Sequence, residues 1–244
     1  MYGTADVVFS ISQDTINVLG SADTVHASGH DLINVQGQGA FLDLGAGGND
    51  TVNVDANRTS VINTTGNGNF HISGSGNFVY GGSGHDTIAA SGTQNALVGG
   101  TGGNLVDLSA SQSAYLSRGG NDTINVSGTG DTVVGGTGSS TITLIGSGNT
   151  VASAGGNDTI NMVGSNEVFL AKSLLDVGTP YHDTIVGFDD ASDRIQLTFA
   201  DNTQQVMATA KLVNNNADTQ LTLGDGSTIL LKGVTHVTQA DFLN

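Results

Sequence analysis

A nine-residue step in the apolar side chains is the feature that most constrains how this chain can fold. From Val52 to Ile160 an apolar residue recurs every nine positions without exception, and elsewhere the step slips to eight or ten. The series is Ile16, Val25, Ile33, Leu42, Val52, Val61, Phe70, Val79, Ile88, Leu97, Val106, Tyr115, Ile124, Val133, Ile142, Val151, Ile160 and Val168. A unit this short cannot bury its apolar side alone and must stack on its neighbours. The sequence therefore predicts a solenoid, whose function belongs to its turns and surfaces.

The residue two positions after each of these apolar residues shows that the true repeat is about 18 residues. Larger apolar and small residues alternate there, most clearly between Asn63 and Met162. Residues i and i+2 of a strand share a face, so one half-repeat contributes two inward side chains and the other contributes one. Two short strands and two turns per coil describe an all-β fold, a flattened parallel β-roll or β-solenoid of about 18-residue coils.

The composition supports this fold and argues against several partners. The 37 glycines and 5% aromatic residues suit tight turns better than a wide globular core. The 22 acidic and six basic residues give a net charge of −16, so no basic surface is expected for a nucleic acid. No stretch approaches the roughly 20 apolar residues that span a bilayer, so no transmembrane segment is expected. Every acid except Glu167 is an aspartate, which favours turn formation or short metal-ligating side chains.

The repeat fades after Leu170, which predicts two parts: a solenoid at 1–170 and a small β-rich cap at 171–244. Within the cap, two apolar segments at 221–223 and 229–231 flank Gly-Asp-Gly-Ser, which is typical of a β-hairpin. Residues 238–241 fit a capping box for a short final helix. A cap is physically required because a solenoid end exposes unpaired strand edges.

The turns differ between the two edges of the predicted roll. The glycine-rich edge comprises the turns that precede strands with two inward residues. These turns end at Asp14, Asp31, Asp50, Gly68, Asp86, Asn104, Asp122, Ser140 and Asp158. The turns of the opposite edge lack double glycines. They end at Asp23, Ala40, Thr59, Asn77, Asn95, Ser113, Asp131, Asn149 and Asn166.

One turn carries a complete motif. Residues 81–89 read GGSGHDTIA and match G-G-x-G-x-D-x-U-x, where U is a large apolar residue, at every specified position. The chain therefore resembles the RTX, or haemolysin-type, calcium-binding β-roll family. Residues 183–188, 193–197 and 240–243 resemble the terminal region of RTX proteins that are exported by type I secretion. The segment around the Gly-Asp-Gly-Ser hairpin adds to this resemblance.

The resemblance implies Ca²⁺ sites between successive turns of the glycine-rich edge. In that family each turn supplies backbone carbonyls and its aspartate, and Ca²⁺ takes six to eight oxygen ligands. The candidate ligands are Gly82, Gly84 and Asp86 first, then Asp50, Asp122 and Asp158, and then Asp14 and Asp31.

The repeats also depart from the family pattern. Between Asp50 and Asp158 each aspartate alternates with Gly68, Asn104 or Ser140, so each gap holds about half the usual carboxylate charge. Affinity should fall accordingly, because ligand charge tunes Ca²⁺ binding. Two interpretations stay open: a roll with a few Ca²⁺ sites, and a roll that Asn and Gly turns close without metal.

These observations predict a non-enzymatic Ca²⁺-binding module of a bacterial type I secretion substrate, secreted or at the cell surface, with Ca²⁺-assisted folding and a structural or surface-matrix role. Its expected partners are Ca²⁺ and the type I secretion machinery. One alternative is a carbohydrate-binding accessory module of a polysaccharide-modifying enzyme, or one that binds a cell-surface matrix. Another is an ice- or surface-adhesion solenoid that uses the outward threonines Thr15, Thr51, Thr87, Thr123, Thr141 and Thr159. Because no hydrolase elbow or phosphate-binding loop occurs, no catalytic residue is assigned.

Overall fold

A computed structural model of the chain describes residues 3–171, 180–198 and 201–243. Residues 172–179, at the start of the predicted cap, lie outside the described residues. The chain divides into two compact units, Met1–Arg118 and Gly119–Asn244. Both are parallel β-solenoids with coils of about 18 residues, about nine coils among the described residues, so the predicted fold class is confirmed.

The first unit contains two parallel sheets whose strands alternate along the chain. The three-residue strands are β1 (Val7–Phe9), β3 (Thr24–His26), β5 (Phe41–Asp43), β7 (Ser60–Ile62), β9 (Phe78–Tyr80), β11 (Ala96–Val98) and β13 (Ala114–Leu116). The four-residue strands are β2 (Thr15–Val18), β4 (Leu32–Val35), β6 (Thr51–Val54), β8 (Asn69–Ile72), β10 (Thr87–Ala90) and β12 (Leu105–Leu108). This alternation of strand length is the one that the 18-residue repeat predicts.

The second unit repeats this arrangement and then closes it. Its four-residue strands β14 (Thr123–Val126), β16 (Thr141–Leu144) and β18 (Thr159–Met162) alternate with the three-residue strands β15 (Thr132–Val134), β17 (Thr150–Ala152) and β19 (Val168–Leu170). After these come β20 (His182–Val186), β21 (Arg194–Gln196), α1 (Thr203–Ala208), β22 (Lys211–Val213), β23 (Asp218–Thr222), β24 (Thr228–Lys232) and β25 (Phe242–Leu243). β20 and β24 extend one sheet in parallel, and β21 and β25 extend the other.

Two predictions for the C-terminal segment are confirmed. β23 and β24 pair antiparallel around the predicted hairpin turn, and β22 closes the sheet. Thr238 begins a short 3-10 helix, Gln239–Asp241, with a complete capping box. The domain boundary at residue 170 stays a prediction. None of the helices in the described segments is both long enough and apolar enough to cross a membrane.

The core consists of the apolar series itself, stacked between coils. Seventeen of the eighteen predicted residues are buried, and strand register places like on like, as in Ile33 beside Val52 and Val52 beside Phe70. Most of the four-residue strands bury their second and fourth side chains, as the predicted i, i+2 pattern requires.

The prediction that Val168 is the eighteenth inward residue is wrong. Phe169 is the fully buried residue of β19 and pairs with Val151, so the step of nine persists beyond Ile160. Glu167 therefore occupies the turn-end position that the spacing predicts for Asn166. The spacing misled because Val168 and Phe169 are adjacent apolar residues, and apolar character alone does not decide which one points inward.

Candidate metal centre

On the glycine-rich edge of the first unit, aspartates connect the turns of successive coils. The backbone N–H of Asp14 donates to Asp31 Oδ1 at 2.9 Å, and the N–H of Asp31 donates to Asp50 Oδ1 at 2.9 Å. In a later coil the N–H of Gly68 donates to Asp86 Oδ1 at 2.7 Å. One carboxylate oxygen of each acceptor is thus used to satisfy a turn N–H that strand pairing leaves free.

The second unit connects its turns in the same way. The N–H of Ser140 donates to Asp158 Oδ1 at 2.8 Å, and the N–H of Asp158 donates to Asp183 Oδ1 at 2.9 Å. Sequence reasoning missed Asp183, which follows Asp158 by 25 residues instead of 18. The available signal was the tripeptide Asp-Thr-Ile, which begins at Asp158 and again at Asp183.

Asparagine and serine also perform the connecting role. Asn104 Oδ1 accepts from the N–H of Asp86 at 3.0 Å, and Ser140 Oγ accepts from the N–H of Asp122 at 3.2 Å. These residues each offer an oxygen acceptor on a short side chain, as Asp does. The alternation of Asp with Asn and Ser therefore preserves these inter-coil hydrogen bonds. Asn replaces the second carboxylate oxygen by an amide donor, and Ser leaves no second polar atom.

That second atom separates the turn of Asn104 from the turn of Asp86. Asn104 Nδ2 donates to the carbonyls of Gly100 and Gly102, at 3.3 and 3.1 Å. The equivalent atom of Asp86 is Oδ2, an acceptor. A Cβ built on Gly100 would stand 2.8 Å from the Gly82 carbonyl oxygen, 3.0 Å from that of Gly84 and 3.1 Å from Asp86 Oδ2.

Three oxygens of the Asp86 turn therefore surround one point that a side chain at position 100 would fill. Oxygen atoms from glycine carbonyls and a carboxylate are the donors that Ca²⁺ prefers. The three leading candidate ligands, Gly82, Gly84 and Asp86, are thus brought together. Nowhere in the described part of the chain do three or more His, Cys, Asp or Glu side chains cluster for a metal, so carbonyls must supply much of any coordination shell.

Other candidate ligands carry buried carboxylate oxygens. Within the described segments, Oδ2 of Asp31, Asp50 and Asp183 is buried and has no hydrogen-bond partner. Leaving a buried carboxylate oxygen unpaired is unfavourable, and either a proton or a cation relieves it. Asp31 and Asp50 lie on consecutive coils, so the need for a proton or a cation is concentrated near β4 and β6.

The pKa values of these carboxylates also indicate that a bound proton or cation is favoured. Burial raises the pKa of Asp50, and the neighbouring carboxylate of Asp31 contributes to that rise. In the second unit, burial raises the pKa of Asp158 to about 6 and that of Asp183 to about 7, and their mutual repulsion adds to the rise in the pKa of Asp183. Deprotonated carboxylates are disfavoured at each place.

The remaining candidates differ from these. The carboxylate of Asp14 is exposed and accepts from the hydroxyls of Ser10 and Ser12, at 2.6 and 3.1 Å. Asp122 is buried. The turn-end residue of the next coil is Ser140, so that coil brings no second carboxylate to the turn of Asp122.

The opposite edge is closed mainly by amides. Asn77 Nδ2 donates to the Ala56 carbonyl and Asn95 Nδ2 to the Gly74 carbonyl, both at 3.0 Å. In the second unit, Glu167 Oε2 instead accepts from the N–H of Asn149 at 2.7 Å, and burial raises the pKa of Glu167. The amides satisfy the turn carbonyls that a cation would otherwise contact. That this edge holds no metal stays a prediction.

Comparisons with known proteins assign no family to this chain. No family model matches the chain, and no curated protein matches it. Among solved structures, it is similar to the extracellular lipase LipA from Serratia marcescens, with 17% sequence identity and a TM-score of 0.40. The match covers 94% of this chain and 40% of the lipase chain.

Proposed function

We propose that this chain is a secreted, non-enzymatic β-roll module in which a few turns of the glycine-rich edge bind Ca²⁺. The observation that carries the proposal is the contrast between Asp86 and Asn104. An amide nitrogen satisfies two turn carbonyls in one coil, and in the other coil a carboxylate oxygen stands near two equivalent carbonyls. A divalent cation is the group that makes three converging oxygens favourable.

The Ca²⁺-binding residues in this proposal fall into three groups. Gly82, Gly84 and Asp86 would hold one ion in the turn with the complete motif. Asp31 and Asp50 form the second group, because their unpaired oxygens lie on consecutive coils. The third group is Asp158 with Asp183, because burial raises the pKa values of both carboxylates.

The role of Ca²⁺ in this proposal is to stabilise the folded module. When bound, the ion supplies positive charge to turns in which carboxylate and carbonyl oxygens converge. Without it, these oxygens repel one another and the net charge of −16 favours expanded chains. Extracellular modules bind Ca²⁺ with dissociation constants of about 10⁻⁴–10⁻³ M, so these turns would stay metal-free and loosely ordered in the cytosol and would be ordered by Ca²⁺ after type I export.

Thermal unfolding of the purified protein tests the proposal. Circular dichroism melts are compared in 1 mM EDTA, in 10 mM CaCl₂ and in 10 mM MgCl₂ (about 10–100 times the expected Kd). We expect a higher melting temperature in Ca²⁺ and little change in Mg²⁺, which demands shorter bonds and octahedral geometry. Identical spectra and equal melting points in EDTA and Ca²⁺ would refute Ca²⁺ binding and leave the fold unaffected.

A further inference from the structure

The outer face of the three-residue strands in the first unit is unusually apolar for an exposed surface. We call it the aromatic face, and its main members are Phe9, Phe41, Ile62, Phe78, Tyr80 and Val98. Phe9 is 75% exposed and Phe41 is 41% exposed. The outer face of the four-residue strands, by contrast, carries many Thr and Asn side chains. An apolar patch on an exposed sheet face indicates a binding surface.

Two aromatic rings on this face, Phe41 and Phe78, lie in one row of the sheet, two coils apart. Both stand at the first position of their strands, β5 and β9, and Ser60 of β7 lies between them in that row. Phe9 of β1 lies in the other outward row, in line with His26. Adjacent strands are about 4.8 Å apart, so the strands of Phe41 and Phe78 are about 10 Å apart. A ligand that fits must therefore present a flat apolar surface that repeats over two strand spacings.

The charged and histidine side chains on this face are held by neighbouring groups. His26 stacks on Phe9 with ring centroids 5.0 Å apart and lies 3.3 Å from the Asp43 carboxylate. Arg118 Nη1 donates to the Tyr80 hydroxyl at 2.9 Å, and its guanidinium lies 5.7 Å from the centre of that ring. The aromatic face is thus nearly neutral, although the chain as a whole has a net charge of −16. That net charge disfavours anionic ligands on the rest of the surface. The aromatic face is suited to an uncharged ligand.

The dimensions of the aromatic face exclude a stable pairing of two copies through it. Each strand presents two outward side chains, and seven strands at about 4.8 Å give a strip roughly 30 Å long and 10 Å wide. That is about 300 Å², whereas a stable protein interface buries about 800 Å² on each partner. Repulsion between two copies of charge −16 adds to this deficit. A narrow, linear ligand fits the strip better than a folded protein.

We propose that the aromatic face binds an extended, uncharged β-1,4-linked polysaccharide of the cellulose or chitin type. In such a chain one pyranose ring is about as long as the spacing of two adjacent strands, and the same ring face recurs on every second sugar. The C–H groups of that ring face are attracted to the electron-rich faces of aromatic side chains. The rings of Phe41 and Phe78 would then contact alternate sugars. This proposal does not depend on Ca²⁺ binding.

Retention on insoluble polysaccharide tests the proposal. The purified protein is mixed with microcrystalline cellulose or with chitin particles in 10 mM CaCl₂ (well above the expected Kd), and the bound fraction is measured after sedimentation. We expect retention on at least one of them, a loss of about tenfold or more in affinity for Phe41→Ser and Phe78→Ser, and no loss in 1 M NaCl because the contacts are uncharged (Debye length about 3 Å).

The matched control is Leu105→Ser on the outer face of β12. Leu105 is 49% exposed, comparable to Phe41, and lies in the other sheet of the same unit, so its replacement should leave retention unchanged. Melting curves of each variant establish that it is folded. Failure of the folded protein to bind either polysaccharide, an equal loss in Leu105→Ser, or a dimer that Phe41→Ser dissociates would overturn the proposal. None of these outcomes bears on the Ca²⁺ dependence of melting.

Discussion

Replacing Asp86 by Asn should convert a Ca²⁺-dependent turn into one that is stable without metal. Asn104, one coil further on, shows how: its Oδ1 keeps the inter-coil hydrogen bond and its Nδ2 donates to two turn carbonyls. An asparagine at position 86 would keep the acceptor for the N–H of Gly68 and direct an amide towards the carbonyls of Gly82 and Gly84. We therefore expect Asp86→Asn to be more stable than the wild type in EDTA.

The size of the effect follows from these contacts. Two new neutral hydrogen bonds contribute about 0.5–1.5 kcal/mol each, so the free energy of unfolding in EDTA should rise by about 1–3 kcal/mol. For a chain of this size that is roughly 2–4 °C in melting temperature per kcal/mol. In 10 mM Ca²⁺ the wild type gains about 1.4–2.7 kcal/mol from one site with Kd of 10⁻³–10⁻⁴ M, and the variant loses that gain. The advantage of the variant should therefore shrink or reverse in Ca²⁺.

Melts of Asp86→Asn in EDTA and in Ca²⁺ measure this difference directly. Asp107→Asn is the matched control because it makes the same charge change at an exposed position on β12, and it should shift stability by less than about 0.5 kcal/mol. Asn104→Asp is the reciprocal change and should lower stability in EDTA and recover it in Ca²⁺. The reasoning is refuted if Asp86→Asn destabilises the chain in EDTA, or if its effect is the same with and without Ca²⁺.

Two further predictions concern protons and turn backbones. In the folded chain the pKa of Asp158 is about 6 and that of Asp183 is about 7, so between about pH 4 and about pH 7 the folded chain holds protons that the unfolded chain has released. In EDTA the melting temperature should therefore fall as the pH rises from about 4 to about 7. Asp183→Asn should flatten this slope in melts across that range, and an unchanged slope would contradict the assignment. Gly84→Ala should cost clearly more than Gly39→Ala in denaturant unfolding, because a Cβ at Gly84 would overlap the Gly66 carbonyl, whereas one at Gly39 meets only the left-handed backbone penalty of about 1–2 kcal/mol. Equal losses for the two glycine variants would show that the close stacking of turns is not what requires glycine.

The sequence was sufficient for the core because the physics of stacking is periodic. An inward position between two coils admits only an apolar side chain, so the step of nine identified the buried residues from Ile16 to Ile160. The different lengths of the two strand types followed from the residue at i+2. Periodicity failed at Val168, where two adjacent apolar residues were available and only strand register shows that Phe169 is the inward one.

The site was less accessible from sequence, for two physical reasons. The identity of Asp86 or Asn104 can be read directly, but whether its second side-chain atom faces carbonyls depends on the path of the turn backbone. Asp183 connects to Asp158 across a longer interval, so the period does not place it. The aromatic face was not predicted, because the outward threonines that form the clearest surface pattern in the sequence lie on the other sheet. Its signal was present, since Phe41 and Phe78 each directly precede an inward residue.

The alternation of carboxylate and amide turns bears on how strongly Ca²⁺ can control folding. In the coils around Asp86, the next turn along the chain is already satisfied by the Asn104 amide, so a metal-free neighbour remains as a folded template. Asp31 and Asp50 lack this support, because two carboxylates follow one another and each keeps a buried oxygen without a partner. Since each coil of a solenoid is stabilised mainly by its neighbours, the penalty of removing Ca²⁺ is local. Loss of the ion would therefore loosen the coils of β4 and β6 more than those around β10 and β12.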